Sequence, residues 1–313
     1  MVTTHVPKMR QKIVIAGGTG FLGSSILKRF EHEGYDLVVL TRQKSRQQGA
    51  VKYVQWNAQS LGPWTDELEG STAVINLVGK SVNCRYTEAN KKEIIASRVL
   101  ATQVLGKAIL CCLQAPKVWI NASSAAIFGY SEEEIKNEDA AIGQGFSSEV
   151  CQYWEKAFND ISLPHTRKVI LRIGVVLQAD TGLLRPFLNL VRWGLGGNIG
   201  SGEQYMTWIH ETDFLNLIDW VIKEEDAQGV FHASSPFPVK NKDFMKALRR
   251  TSPVPFGLPN PVWVIHLGAV LIGTEAELVL KGRRVVSKKL QEKGFIFKYP
   301  IIKNALEELL SKN

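Results

Sequence analysis

Cysteine is scarce in this chain: there are four in 313 residues, none of them in a C-x-x-C spacing. Cys111 and Cys112 are adjacent and poorly placed for an ordinary disulfide, so reduced thiols in an intracellular compartment are expected rather than a disulfide framework. No His/Cys/Asp/Glu spacing suits a metal. Long apolar runs are also lacking. The longest, VWVIHLGAVLIG at 262–273, is interrupted by His266 and is too short to span a bilayer, which makes it a buried or partly exposed helix. The opening MVTTHVPKMRQ has no apolar h-region, so no secretory leader is expected. Low-complexity segments and internal repeats are missing as well. A net charge of +8 and a pI near 9.2 permit nucleic-acid or anionic-surface binding. The basic residues are dispersed, however, and the motifs of nucleic-acid readers are absent. A basic surface serving an anionic cofactor is the simpler account, with neither nucleic acid nor membrane as partner.

What is present begins at residues 13–30, IVIAGGTGFLGSSILKRF. A β-branched run, Ile13 to Ile15, meets a Gly-rich turn, and apolar residues then recur at helical spacing through Phe21, Leu22, Ile26, Leu27 and Phe30. That is strand, tight turn, helix. Gly17, Gly20 and Gly23 allow a sharp turn, a close approach of phosphate to backbone amides and tight helix–strand packing. The helix N-terminus is itself an anion site. A second strand, DLVVL at 36–40, completes a βαβ unit, so the loop reads as a dinucleotide site rather than a turn kept for packing alone.

The end of that second strand selects the dinucleotide. NAD-binding proteins place an acidic residue there, about 20 residues beyond the glycines. This chain has TRQKSR instead, with Thr41 and Arg42 at the critical positions and Lys44 and Arg46 behind them. A guanidinium grips a 2′-phosphate, which a carboxylate would repel, so NADP(H) is the expected cofactor; the bland reading is a solvated basic loop.

Further strands are expected at 73–79, in KVWINASSAAIFG from 117 with its carboxyl end at 122–124, and at 168–177, and helices at 87–113 and 147–158. This alternation predicts an α/β fold, a Rossmann-type doubly wound parallel sheet with ligands at the carboxyl ends of the strands and a smaller C-terminal substrate lobe. The division drawn is 10–178 with 205–230 for the NADP-binding domain and 179–204 with 231–313 for the lobe, which is rich in Pro. Its basic run KGRRVVSKK, 281–289, reads most simply as a solvated face, with cations for an acidic ligand as the alternative. Trp193 and Trp208 read as core aromatics or as pocket lining.

GGTGFLG, INLVGKSV, ASRVLATQVL, NASSAAIFG, VILRIGVVL and GSGEQYMTWIHETDF follow one another as in extended short-chain dehydrogenase/reductases, and the tail LVLKGRRVVSKKLQEKGFIFKYP resembles their atypical epimerase-like subgroup. The resemblance covers nearly the whole chain. It implies a pyrophosphate cradle of Gly17, Gly20, Phe21, Leu22 and Gly23, with Thr41 and Arg42 at the 2′-phosphate. Leu77, Val78 and Gly79 would line the adenine ribose and the approach to the nicotinamide, and Gly174, Val175 and Val176 would pack near the nicotinamide. Arg98 replaces an Asn of the family; it would brace a phosphate, pair with Glu93, or stand as a helix-surface charge.

The resemblance breaks at the chemistry. Active members use a Tyr-x-x-x-Lys pair on one helical face together with a Ser on the substrate oxygen. In EVCQYWEKAF the matching register puts Cys151 at the Tyr position and Glu155 at the Lys position, and a carboxylate there would raise a neighbouring acid's pKa. Ser124 matches the family Ser, or else caps a backbone group. Cys151 is a nucleophile or a small buried hydrophobe, Tyr153 a rescue donor on another face, and His210 a structural residue or a proton donor. Two functions follow: an NADP(H)-dependent oxidoreductase or epimerase acting on a small carbonyl or hydroxyl substrate, or an NADP(H)-binding sensor or scaffold without turnover. A homo-oligomer is compatible with either.

Overall fold

A computed structural model describes residues 11–311 apart from 132, 180, 253 and 255; the N-terminal stretch read above for a leader lies outside it up to Arg10. Strand β1 (Lys12–Ala16) runs into helix α1 (Phe21–His32) and then β2 (Asp36–Thr41), β3 (Arg46–Gln48) and β4 (Val51–Gln55). β5 (Ala73–Asn76), α2 (Glu88–Leu110), β6 (Val118–Ser124), β7 (Ile135–Lys136), α3 (Phe146–Asn159) and β8 (Arg167–Ile173) follow. These strands apart from β7, together with β12 (Gly229–Ala233), make an eight-stranded sheet of order β12-β8-β6-β5-β1-β2-β4-β3, parallel except for β3.

Helices cover both faces because every central strand is apolar on both. Ile13 and Ile15 of β1 and Leu37 and Val39 of β2 pack with Ile26 and Phe30 of α1 on one face. Val14, Ala16, Val38 and Leu40 face Ala101, Val104 and Leu105 of α2 and Phe158 of α3 on the other. Period-2 alternation with apolar residues at both parities is what a strand buried between two helical layers requires. The expected Rossmann-type doubly wound sheet is therefore the fold.

Two expected strands end early, for local reasons. The strand at 73–79 stops at Asn76, whose Oδ1 accepts from the Val78 amide at 3.2 Å while its Nδ2 donates to Asn121 and Thr102. The strand at 168–177 breaks at Gly174. There the backbone passes so close to Thr207 that a Cβ would lie 2.9 Å from it, and β9 (Val175–Leu177) leaves the main sheet.

The rest of the chain comprises α4 (Leu184–Arg192), β10 (Tyr205–Met206), β11 (Trp208–His210), α5 (Glu211–Lys223), β12 (Gly229–Ala233), β13 (Val239–Lys240) and α6 (Asn241–Arg250). It closes with α7 (Val262–Ile272), α8 (Glu277–Leu280), β14 (Arg284–Val285), α9 (Lys288–Glu292) and α10 (Ile302–Leu310). β9 pairs in parallel with β11, and β14 with β7. A separate core joins Phe187 and Val191 of α4, Phe244 and Leu248 of α6 and Leu306 of α10. Leu177 and Trp208 belong to this second core although the sequence division puts both in the nucleotide-binding part. Trp193 is neither core nor pocket lining, being 82% exposed. Helix α7 buries only Ala269 and leaves Trp263, Leu271 and Ile272 largely in solvent. Among the described residues no helix is long and apolar enough to cross a membrane.

Candidate functional site

The sheet order reverses between β1 and β5, which are neighbours in the sheet but not in sequence. The crevice outside the carboxyl ends of two such strands is where an open α/β sheet takes its ligand. Here it opens into a cavity of about 760 Å³. Gly17 sits at φ +84°, and a Cβ on it would be 3.0 Å from the Leu77 carbonyl carbon, so only glycine passes between β1 and the turn after β5. A Cβ on Gly23 would come within 2.5 Å of Gly18 Cα, so α1 could not start so close to the strand. The amides of Phe21, Leu22 and Gly23 open α1 without an i−4 acceptor and stand at the cavity wall. That is a cradle for an anion.

The cavity wall brings together Gly17, Gly20, Phe21, Leu22, Gly23, Leu77, Gly79, Arg98, Ser124, Cys151 and Val175. Thr41, Arg42, Val78, Glu93, Glu155 and Val176 are not on it. Thr41, buried, ends β2 one strand away from the loop, and Arg42, exposed, follows it. Val176 is buried in β9, and Val78 packs on the α2 side of the sheet. The pairing of Arg98 with Glu93 does not occur. Glu93 points outward to Lys80, while Arg98 turns inward, donating from Nη1 to the carbonyls of Lys80 (3.0 Å) and Ile94 (2.9 Å) and lying over the Trp154 ring at 5.1 Å. Nor is Arg98 a helix-surface charge: a Cβ on Gly79 would lie 2.8 Å from its guanidinium carbon.

Ser124 ends β6 and caps the turn Ala125–Phe128, its Oγ accepting from the Ala126 amide at 3.2 Å and donating to the Ile173 carbonyl at 3.4 Å. Cys151 is buried beside it. Burial, with the Glu155 carboxylate nearby, pushes this thiol up to about 11 against the opposing pull of the Ser124 amide, Arg98 and Arg283. The thiol is therefore protonated at neutral pH.

Glu155 departs from the expected catalytic position. One turn beyond Cys151, its carboxylate is turned into the protein, bound bidentately by Arg172 (Nε 2.9 Å, Nη2 2.9 Å) and accepting from Ser123 Oγ at 2.6 Å. A carboxylate and a guanidinium both under a tenth exposed pair with each other, and neither is on the cavity wall. Tyr153, 54% exposed, and Lys156, paired with Asp160 at 2.9 Å, also lie off the cavity wall. His210 caps α5, its Nδ1 accepting from the Thr212 amide at 3.0 Å and its Nε2 facing Glu308 at 3.1 Å. It too is away from the cavity.

With the geometry in view, comparison with known proteins places the chain. The model of the NAD dependent epimerase/dehydratase family matches residues 13–154, and that of a domain of unknown function, DUF1731, matches 261–309. The Bacillus subtilis epimerase family protein YfhF is 33% identical over 96% of this chain and 98% of its own length. This chain belongs to the epimerase family. The Arabidopsis thaliana chloroplastic homolog of epimerase family protein SDR39U1 is 31% identical over 99% of this chain and 90% of its own. Among solved structures, human epimerase family protein SDR39U1 (isoform 2) with NADPH superposes with a TM-score of 0.85 at 28% identity, covering 97% of this chain and all of the human one.

One wall residue of this epimerase-family protein escapes a reading of the sequence as a solvated basic face. Arg283 reaches the cavity and donates from Nε to the Gly129 carbonyl at 2.8 Å. The available signal is alternation: Arg283 shares its parity with Val285 and Ser287, both buried, while Lys288 is exposed.

Two buried histidines make stability pH-dependent. Burial holds His210 below the ordinary imidazole value, against Glu308, Asp213 and Glu211, and does the same to His232 against Glu138. Below about pH 6.5 the unfolded chain takes up protons that the native state resists, so stability falls on acidification, by up to ~1.4 kcal/mol per pH unit for each histidine. Urea unfolding at about pH 7.5 and about pH 5.5 should show the loss, and His210→Asn, which keeps a capping oxygen, should reduce it.

Proposed function

We propose that this epimerase-family protein binds NADP(H) in the cleft outside β1 and β5 and uses it as an oxidoreductase or epimerase on a small carbonyl or hydroxyl substrate. The observation that carries the reading is the continuity of one cavity wall from Gly17 and the first amides of α1 to Ser124, Cys151 and Val175. A dinucleotide needs both ends of such a wall: an anion cradle for the pyrophosphate and a walled space for the nicotinamide. Arg42, exposed at the end of β2, supplies the cation for a 2′-phosphate. The bound NADPH of human SDR39U1 supports the same choice.

In this reading NADP(H) supplies or accepts the hydride. The chain's own residues bind and orient: the α1 amides hold the pyrophosphate, and Ser124 presents its hydroxyl beside the space for the substrate oxygen. Cys151 keeps its proton at neutral pH where the family has its Tyr. Titration should give NADPH an advantage of about tenfold over NADH, or ~1.4 kcal/mol. Equal affinities would remove the argument from Arg42. Oxidation of bound NADPH by members of a carbonyl panel tests turnover.

The immobilised Glu155 favours a second reading, an NADP(H)-binding sensor or scaffold, because the position that should assist a proton donor is consumed by Arg172. That reading expects a strong rise in melting temperature with NADPH and no turnover of any carbonyl.

A further inference from the structure

Two arginines on the cavity wall, Arg98 and Arg283, have no carboxylate in direct contact among the described residues, although Glu277 on the same wall is within electrostatic reach of Arg283. Arg98 is tied by Nη1 to two backbone carbonyls, and Arg283 by Nε to a third. Among the described residues neither forms an ion pair. Burial acts on both against the charged form, and Glu277, the carboxylate whose field reaches Arg283, is already paired with Lys281 at 2.8 Å. A guanidinium does not solve this by losing its proton. Cys151, to which both arginines are electrostatically close, does not solve it either, since its thiol stays neutral. A desolvated cation without a counter-charge is costly, and that cost falls when a ligand brings the charge.

The positions of the two arginines argue against the dinucleotide as the source of that charge for both. The pyrophosphate has its own cradle at the start of α1, whereas Arg283 enters from the segment before β14 and is anchored to the turn after β6. The larger part of the same wall is apolar, with Phe146, Val150, Trp154, Leu183, Phe187 and Met206 on it, and Ser147, Thr207 and Glu277 are among its polar members.

We infer that the ligand entering beside the dinucleotide is a compact oxyanion, a carboxylate or a phosphate, carried on an apolar body, with Arg283 as its principal anchor and Arg98 beside it. It rests on the proposed cofactor site only for the position of the dinucleotide. Anion binding at Arg283 is measurable with or without NADPH.

The probes are benzoate, phenyl phosphate and the uncharged benzamide, titrated calorimetrically into the protein alone and into protein saturated with NADPH. At least one of the two anions should bind ~10-fold or more tightly than benzamide, as charge-assisted bonds to a desolvated guanidinium require, and the tighter one identifies the oxyanion. Arg283→Gln, which can still reach the Gly129 carbonyl, should cost that anion ~10-fold or more while leaving benzamide and NADPH within a few fold, and Arg283→Lys should keep part of the affinity. If Arg283→Gln does not fold, Arg98→Gln carries the comparison of the anion with benzamide, read in the protein without NADPH. Equal binding of benzamide, no binding of either anion at about 10 mM, or an Arg283→Gln effect confined to NADPH would overturn the inference. Arg283-dependent anion binding in a protein that fails to bind NADPH would sink the cofactor reading and keep this one.

Discussion

Glu155→Gln is expected to destabilise the protein by about 3–5 kcal/mol, the cost of breaking a buried ion pair by removing one partner. Glu155 Oε1 receives both Arg172 Nε and Ser123 Oγ, and Oε2 receives Arg172 Nη2. Among the described residues no second carboxylate pairs with the guanidinium: its Nη1 lacks a hydrogen-bond partner, and it lies over the Phe128 ring at 5.3 Å. Urea unfolding of the variant should give a lower midpoint with an unchanged slope. Glu155→Leu combined with Arg172→Met should recover most of the loss, because it removes both charges. A single variant as stable as the wild type would show that the pair is dispensable. Glu155→Lys, which restores the family's residue type, should be worse than Glu155→Gln, since it sets a second cation against Arg172. In this protein Glu155 holds α3 against β8.

Arg42→Asp should reverse the cofactor preference. An advantage of about tenfold for NADPH turned into a comparable one for NADH is a change of ~100-fold, or ~2.7 kcal/mol. The substituted carboxylate would repel a 2′-phosphate and accept from a ribose 2′-hydroxyl, so the change works in both directions at once. Arg42 is exposed at the end of β2 with no carboxylate partner among the described residues, so the substitution should leave the melting temperature nearly unchanged. Titration of wild type and variant with both dinucleotides measures it. An unchanged ratio would mean that Arg42 stays in solvent and that the 2′-phosphate, if bound, is read elsewhere.

Features governed by neighbours along the chain were legible before any coordinates. Ile13 to Ala16 and Leu37 to Leu40 are apolar at both parities, which only a strand covered on both faces tolerates, and the turn between β1 and α1 closes at Gly17 and Gly23 in a way that no side chain would permit. From these the doubly wound sheet and its anion cradle follow. Three things turned on residues far apart in sequence. The strand through 168–177 splits because Gly174 meets Thr207, a contact that no local propensity encodes. Glu155 is 17 residues from the arginine that captures it, so the family resemblance sets it beside Cys151 at a catalytic register, whereas its partner is on β8. Arg283 is anchored 154 residues away at Gly129, and without that contact a run of lysines and arginines reads as surface. Periodicity and turn chemistry are short-range constraints on backbone and burial. Which charges are paired and which are left facing the cavity depends on where distant segments are brought together, and the candidate chemistry of this protein rests on that pairing.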